Sequence, residues 1–191
     1  MTKAHIHLAH SYWEKLLQIG DVVIDATCGN GHDTLFISQL ILNDKHVGKL
    51  IAIDTQEEAI KSTQQRLQEK LASDLLQDIS FYQQCHSIFP ETILKNSVKL
   101  IVYNLGYLPG SDKTHTTLNT STCTSVEHAL TLICRGGAIS ITCYPGHKAG
   151  QIEEEALLKL IEKLPSKEWR CCYHRWINRQ DAPSLIWIER K

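Results

Sequence analysis

Short blocks rich in apolar residues recur along the chain at 22–26, 50–54, 79–83, 99–103 and 138–143, and two further runs follow at 169–176 and 184–189. Blocks of that length, enriched in Val and Ile and bounded by polar turns, predict strands, several of them covered on both faces. Between them, apolar residues return every three or four positions over 4–18, 32–43, 56–72, 125–134 and 151–163, the period of helices with one buried stripe. Strands alternating with helices predict an α/β fold: a mostly parallel sheet with helices on both faces. At 191 residues the chain is expected to form a single domain, 1–191, with residues 1–20 as an N-terminal helix over the ligand-binding end of the sheet.

The first polar break carries the most information. Asp25-Ala26-Thr27-Cys28-Gly29-Asn30-Gly31-His32-Asp33-Thr34 follows Val22-Val23-Ile24 and precedes the helical pattern Leu35, Phe36, Ile37, Leu40. A strand, a turn with two glycines and a helix start let backbone approach a nucleotide-like ligand at the carboxyl end of a sheet. The third glycine of the dinucleotide fingerprint is missing, and Asp33 near the helix start would repel a pyrophosphate. A cofactor with a cationic reacting end, an amino group and no phosphate suits this loop better, and S-adenosylmethionine (SAM) is that cofactor. The acid-first, two-glycine loop resembles the first motif of the Rossmann-like class I methyltransferases. That class implies a seven-stranded, mostly parallel sheet closed by a C-terminal antiparallel hairpin, here 169–176 with 184–189.

Later strand ends extend the pattern. Asp54 closes the second strand some twenty residues beyond the loop, where Rossmann-like folds place the carboxylate that takes both ribose hydroxyls, although capping of the next helix is also open to it. In methyltransferases the segment after the third strand passes beside the adenine, which makes Cys85, His86 and Ser87 cofactor-contact candidates. The fourth strand runs into Asn104-Leu105-Gly106-Tyr107-Leu108-Pro109-Gly110-Ser111-Asp112-Lys113. Amino methyltransferases that use N-P-P-Y at this place hold a target amine with the Asn oxygen; Asn104 and Tyr107 keep the first and last letters. A neutral acceptor orients amine N–H groups and stabilises developing positive charge. Lys113 is a substrate-side candidate at the end of this loop.

The Thr/Ser-rich run 114–124 is expected to be a substrate-side loop, entering a helix at Ser125 with Thr122 or Thr124 as its cap. Arg135-Gly136-Gly137 is expected to end that helix. After the fifth strand, Tyr144-Pro145-Gly146-His147-Lys148-Ala149-Gly150 brings His147 and Lys148 to the same crevice, within reach of a target base or RNA phosphate. Glu153, Glu154 and Glu155 read as a solvated first turn of the next helix. Arg170, His174, Arg175 and Arg179 lie among Tyr173 and Trp176, which reads equally as RNA contact or as an edge strand blunted by charge.

Charge narrows the field. Twenty Lys and Arg against 21 Asp and Glu leave a net charge of -1, so there is no global attraction to polyanions and RNA binding would need a local patch. Seven cysteines, at 28, 85, 123, 134, 143, 171 and 172, include no C-x-x-C pair and read as reduced thiols, mostly buried. His7 and His10 share a helix face, but no carboxylate is spaced to complete a metal set, so a cap over the cofactor site is the better reading. Polar residues at the N-terminus and the lack of a long apolar run suggest a cytoplasmic protein with no membrane or metal partner.

Taken together, D-A-T-C-G-N-G-H-D-T, N-L-G-Y-L-P-G-S-D-K and Y-P-G-H-K-A-G, with His10 and a closing N-x-x-x-x-P at Asn178 and Pro183, resemble the rRNA methylase family of class I methyltransferases. Its characterised members are similar to bacterial tRNA methyltransferases acting on the wobble uridine. The resemblance implies SAM-dependent methylation of the amine of 5-aminomethyl-2-thiouridine in the tRNA anticodon loop, with an amine of ribosomal RNA as the alternative. It assigns Thr27, Gly29, Asn30, Gly31 and Asp33 to the cofactor loop and Asp54 and Gln56 to the ribose. Cys85, His86 and Ser87 would lie near the adenine. Asn104, Tyr107 and His147 would flank the methyl and the amine, and His10, Lys113, Lys148 and Arg175 would face substrate; a homodimer is open to it. Two rivals stand beside this reading: a nicotinamide-dependent oxidoreductase, opposed by the missing glycine and Asp33, and a noncatalytic RNA-binding module, opposed by the Asn104 loop.

Overall fold

A computed structural model describes residues 4–105, 119–179 and 181–191, with Asn119 and Thr120 by backbone alone. Tyr107 and Lys113 lie outside the described residues. The strands are β1 (Val22–Asp25), β2 (Lys49–Asp54), β3 (Ile79–Gln83), β4 (Val98–Leu105), β5 (Ile133–Cys143), β6 (Trp169–His174) and β7 (Ser184–Arg190). They form one seven-stranded sheet in the order β3-β2-β1-β4-β5-β7-β6. The pairs from β3 to β5 are parallel, and β7 pairs antiparallel with both β5 and β6. Chain order reverses between β1 and β4, so the loops leaving these two strands open side by side at the carboxyl edge, where such sheets bind ligands.

The helices are α1 (Ala4–Leu16), α2 (His32–Ile41), α3 (Glu57–Lys70), α4 (Asn119–Leu132) and α5 (Lys148–Ile161). Adjacent strand residues point to opposite faces, and the core divides accordingly. Val23 packs with Trp13 of α1, Ile37 and Ile41 of α2 and Leu67 of α3, whereas its neighbour Ile24 packs with Val126 and Ala129 of α4 and Leu157 and Ile161 of α5. Burial on both sides explains why β1, β2 and β4 read as apolar runs and not as alternation.

Three expectations need correction. First, α4 starts at Asn119, inside the Thr/Ser run, so Thr122 and Thr124 are helical residues rather than caps, and Thr122 and Ser125 are fully buried. Their weak helix propensity is outweighed by tertiary partners: Thr122 Oγ1 donates to Glu153 Oε1 at 2.6 Å and Ser125 Oγ donates to the His86 carbonyl at 2.6 Å. Second, α5 begins at Lys148, which moves the glutamates out of the first turn and turns two of them inward. Glu153 and Glu154 are buried, the latter accepting from Ser184, and burial raises the Glu153 pKa against the opposing Thr122 bond. Third, Arg135-Gly136-Gly137 lies within β5, in a bulge where Val98 pairs with Ile133 but Leu100 pairs with Ala138. A Cβ at Gly137 would stand 2.7 Å from the Lys99 carbonyl, so only glycine lets the bulge lie against β4.

At the edge, β6 stops at His174, two residues short of the expected strand. Of the seven free cysteines, Cys28 and Cys143 are buried and Cys171 and Cys172 are exposed on β6, so the expectation of mostly buried thiols is met only in part. Among the described residues, no helix is long and apolar enough to cross a membrane.

Candidate functional site

Asp25, at the end of β1, is almost fully buried and anchors the loop that follows. Thr34 Oγ1 donates to Asp25 Oδ2 at 2.6 Å and the Thr27 N–H donates to Oδ1 at 3.2 Å. Burial pushes the carboxyl up to about 7; these bonds pull it down, while Asp33 and Asp54 push it further up. Thr34 occupies the place of the third fingerprint glycine, and its hydroxyl is spent on this anchor. Gly29 and Gly31 turn the loop with φ of 51° and 74°. A Cβ on Gly31 would meet Thr63 Cα at 2.8 Å, so the loop lies directly on α3.

The second strand end closes on the first. Asp54 Oδ2 accepts the Gly29 N–H and Oδ1 accepts the Gln56 N–H, both at 3.0 Å. Each oxygen keeps a further lone pair, enough for two vicinal hydroxyl donors. Asn30 sits against α3, where Ser62 donates to its side-chain oxygen at 3.3 Å. Beyond β3, Ser87 Oγ donates to Cys85 Sγ at 3.1 Å, and buried His86 stands edge-on to Tyr103. Burial pushes His86 down to about 4, so the ring is neutral, and its Nε2 has no hydrogen-bond partner among the described residues. The open face at Gly29, the half-exposed Asp54 carboxylate and the orphaned His86 nitrogen fit a ligand with a ribose and a polar base, such as SAM.

Asn104 sits at the meeting point of four segments. Its backbone N–H donates to Thr27 Oγ1 at 2.7 Å, which ties β4 to the β1 loop. Its side-chain Nδ2 donates to Asp33 Oδ2 at 3.2 Å, and Asp33 Oδ1 accepts from His10 Nε2 at 2.8 Å. His10 is held in turn by stacking on Phe36, with ring centroids 3.8 Å apart. A carboxylate only accepts, so Asp33 fixes the amide with its NH2 end inward and leaves Oδ1 as the acceptor. Just past β5, the Tyr144 phenol is hydrogen-bonded to the His5 ring at 3.3 Å and lies beside the Asn104 side chain. Burial and Asp33 push the Tyr144 phenol up to about 12, so it stays protonated.

His147 is the N-cap of α5, its Nδ1 accepting the Gly150 N–H at 3.0 Å. Lys148 and Arg175 are exposed, and His7 is exposed while His10 is half-buried. Among the described residues, no group of three or more His, Cys, Asp or Glu could hold a metal ion. Sequence reasoning passed over the anchoring role of Asp25 and the part of Tyr144 and His5 in the Asn104 cluster. Tyr144 carried a usable signal, a polar aromatic directly after an apolar strand, whereas His5 carried none.

Comparison with known proteins extends the geometry. A family model described as putative rRNA methylase matches residues 50–189, which includes Asn104 and Tyr144 but not the β1 loop. The chain is 36% identical over 192 aligned residues to an Arabidopsis thaliana protein named tRNA (mnm(5)s(2)U34)-methyltransferase, chloroplastic, covering 99% of this chain and 70% of that one. Among solved structures, a putative rRNA-methylase from Clostridium thermocellum superposes with a TM-score of 0.90 at 29% identity, over 100% of both chains. A putative methyltransferase from Streptococcus mutans in complex with SAH gives 0.84 at 27%, again over 100% of both.

Proposed function

This chain belongs to the putative rRNA methylase family, and on that premise we propose that it methylates the amine of 5-aminomethyl-2-thiouridine at the wobble position of tRNA. It is a SAM-dependent methyltransferase with the class I fold. The observation that carries the substrate reading is Asn104: a neutral acceptor at the end of β4, its amide oriented by Asp33. The Arabidopsis relative, whose name specifies a wobble-uridine tRNA modification, supports the same choice.

SAM, when bound, supplies a methyl group activated on a sulfonium. Thr27, Gly29, Asn30, Gly31, Asp33, Asp54, Gln56, Cys85, His86 and Ser87 would hold it, with Asp54 on the ribose and neutral His86 toward the base. Asn104 Oδ1 would accept an N–H of the target amine and aim the nitrogen lone pair, so that most of the acceleration comes from near-attack positioning. Asp33 keeps that amide from turning over, and the α1 residue His10 steadies Asp33. After transfer the methylated amine loses a proton to solvent, and no dedicated base is required. His147, with Nδ1 committed to the helix cap, shapes the crevice wall beside Tyr144; Tyr107, Lys113 and Lys148 belong to the substrate side.

Nucleoside mass spectrometry of tRNA from a strain lacking this protein tests the reading. The unmethylated aminomethyl-thiouridine should accumulate. An unchanged tRNA profile with a methyl group missing from ribosomal RNA would instead favour the ribosomal substrate that the family description suggests.

A further inference from the structure

A groove of about 450 Å³ opens where the N-terminus of α1 meets the connection from β6 to β7. Its walls include His5, Tyr173, Arg175, Trp176 and Ile177. Among the described residues Tyr173 and Trp176 are the exposed large aromatics, at 37% and 46%, and both line this one groove. Its floor is braced: His174 Nε2 is hydrogen-bonded to Tyr12 Oη at 3.1 Å, and Tyr12 packs on Trp187. His5 lines the groove and is also hydrogen-bonded to Tyr144, which lies beside Asn104.

Two readings of the local basic residues separate here. Arg170 pairs with Glu189 across the hairpin, 3.2 Å apart, and serves the edge strand. Arg175 and Arg179 lie past the end of β6 with only Asp181 as an acidic neighbour in the connection, in a chain whose net charge is -1. Exposed aromatic faces beside guanidinium groups suit a nucleobase and its phosphate, since stacking takes any base and arginine adds charge and planar contact.

We infer that this groove is the docking subsite for the nucleotide adjacent to the methylated one, its base stacked on Trp176 and its phosphate on Arg175. The inference rests on the RNA substrate proposed above. It gives a chain without overall positive charge a local means of holding an RNA loop while one base is presented to Asn104.

The test is a binding titration of the full chain with an anticodon stem-loop RNA. Trp176→Ala should raise Kd about tenfold or more, Trp176→Phe should restore most of the affinity, and the affinity for SAM should stay unchanged. Arg175→Ala should lower the slope of log K against log salt by about one. An RNA with an abasic residue at one of the two positions flanking the target should bind wild type about tenfold more weakly, and Trp176→Ala should then add no further loss. Equal affinities of wild type and Trp176→Ala for intact RNA, or losses that simply add on the abasic RNA, would overturn the inference. Methyl incorporation in the same samples reports on the proposed reaction separately: wild type that stacks the RNA without methylating it contradicts the reaction and not the groove. Wild type that fails to bind the RNA contradicts both.

Discussion

The two halves of the site are built on different principles. The cofactor half, from Asp25 to Asp54, is short in sequence and made mainly of backbone: glycines at positive φ, amide groups donated to Asp54, and one buried carboxyl holding the turn. The proposed substrate half centres on one side chain, Asn104, oriented by Asp33 of α2, which is held in turn by His10 of α1, with Tyr144 beside it. A ligand common to many enzymes is met by local chain geometry. On the proposed function, a particular amine is met by side chains drawn together from distant segments.

Substitutions that strike one half and spare the other test this division. The largest effect is expected from Gly31→Val, where φ of 74° and a Cβ 2.8 Å from Thr63 Cα combine strain with a clash against α3. It should cost about 3 kcal/mol or more of stability in denaturant unfolding, and an unaltered midpoint would contradict the tight loop. Asn104→Ala comes next: single-turnover methyl transfer should fall about 100-fold while calorimetric SAM affinity stays within about twofold. Loss of both together would erase the distinction between halves. Asp54→Ala is the reciprocal case and should weaken SAM about tenfold, equal to roughly 1.4 kcal/mol.

The last expectation concerns the pH dependence of stability and Asp25. Its folded pKa of about 7 lies above the ordinary 3.8, so the folded state binds the proton more tightly than the unfolded chain does. Stability should be highest below the ordinary pKa and decline as pH rises from about 4 to about 7, then level off. Asp25→Asn, which keeps an acceptor for Thr34, should flatten that decline in thermal melts taken across the pH range. An identical pH profile would show that Asp25 titrates normally.

The same division governs what the sequence discloses. Asp25, Gly29, Gly31 and Asp54 were legible as positions because the glycine turn and the two strand ends leave a local pattern, although the bonds from Thr27 and Thr34 to the Asp25 carboxyl did not show in it. Asn104 was legible from its strand-end place, but the Asp33 bond that orients it was not, because residues 33 and 104 meet only through the order of strands. Asp33 was noticed for the charge it would set against a phosphate, whereas in the fold it bridges His10 and Asn104. Glu153 and Glu154 misled for a related reason: an acidic run reads as solvent-facing, and only the packing of α5 shows Thr122 and Ser184 as their partners. Thr122 misled in the opposite direction, since burial of a hydrogen-bonded hydroxyl overrides weak local preference.

The Asn104 half is proposed to select an aminomethyl group on tRNA. The most direct measurement incubates the purified chain with methyl-labelled SAM and tRNA from a strain lacking it, then digests the tRNA and identifies the labelled nucleoside by mass spectrometry. The label should appear in 5-methylaminomethyl-2-thiouridine and be lost with Asn104→Ala. Label in any other nucleoside, or full labelling by the Asn104→Ala protein, would contradict it.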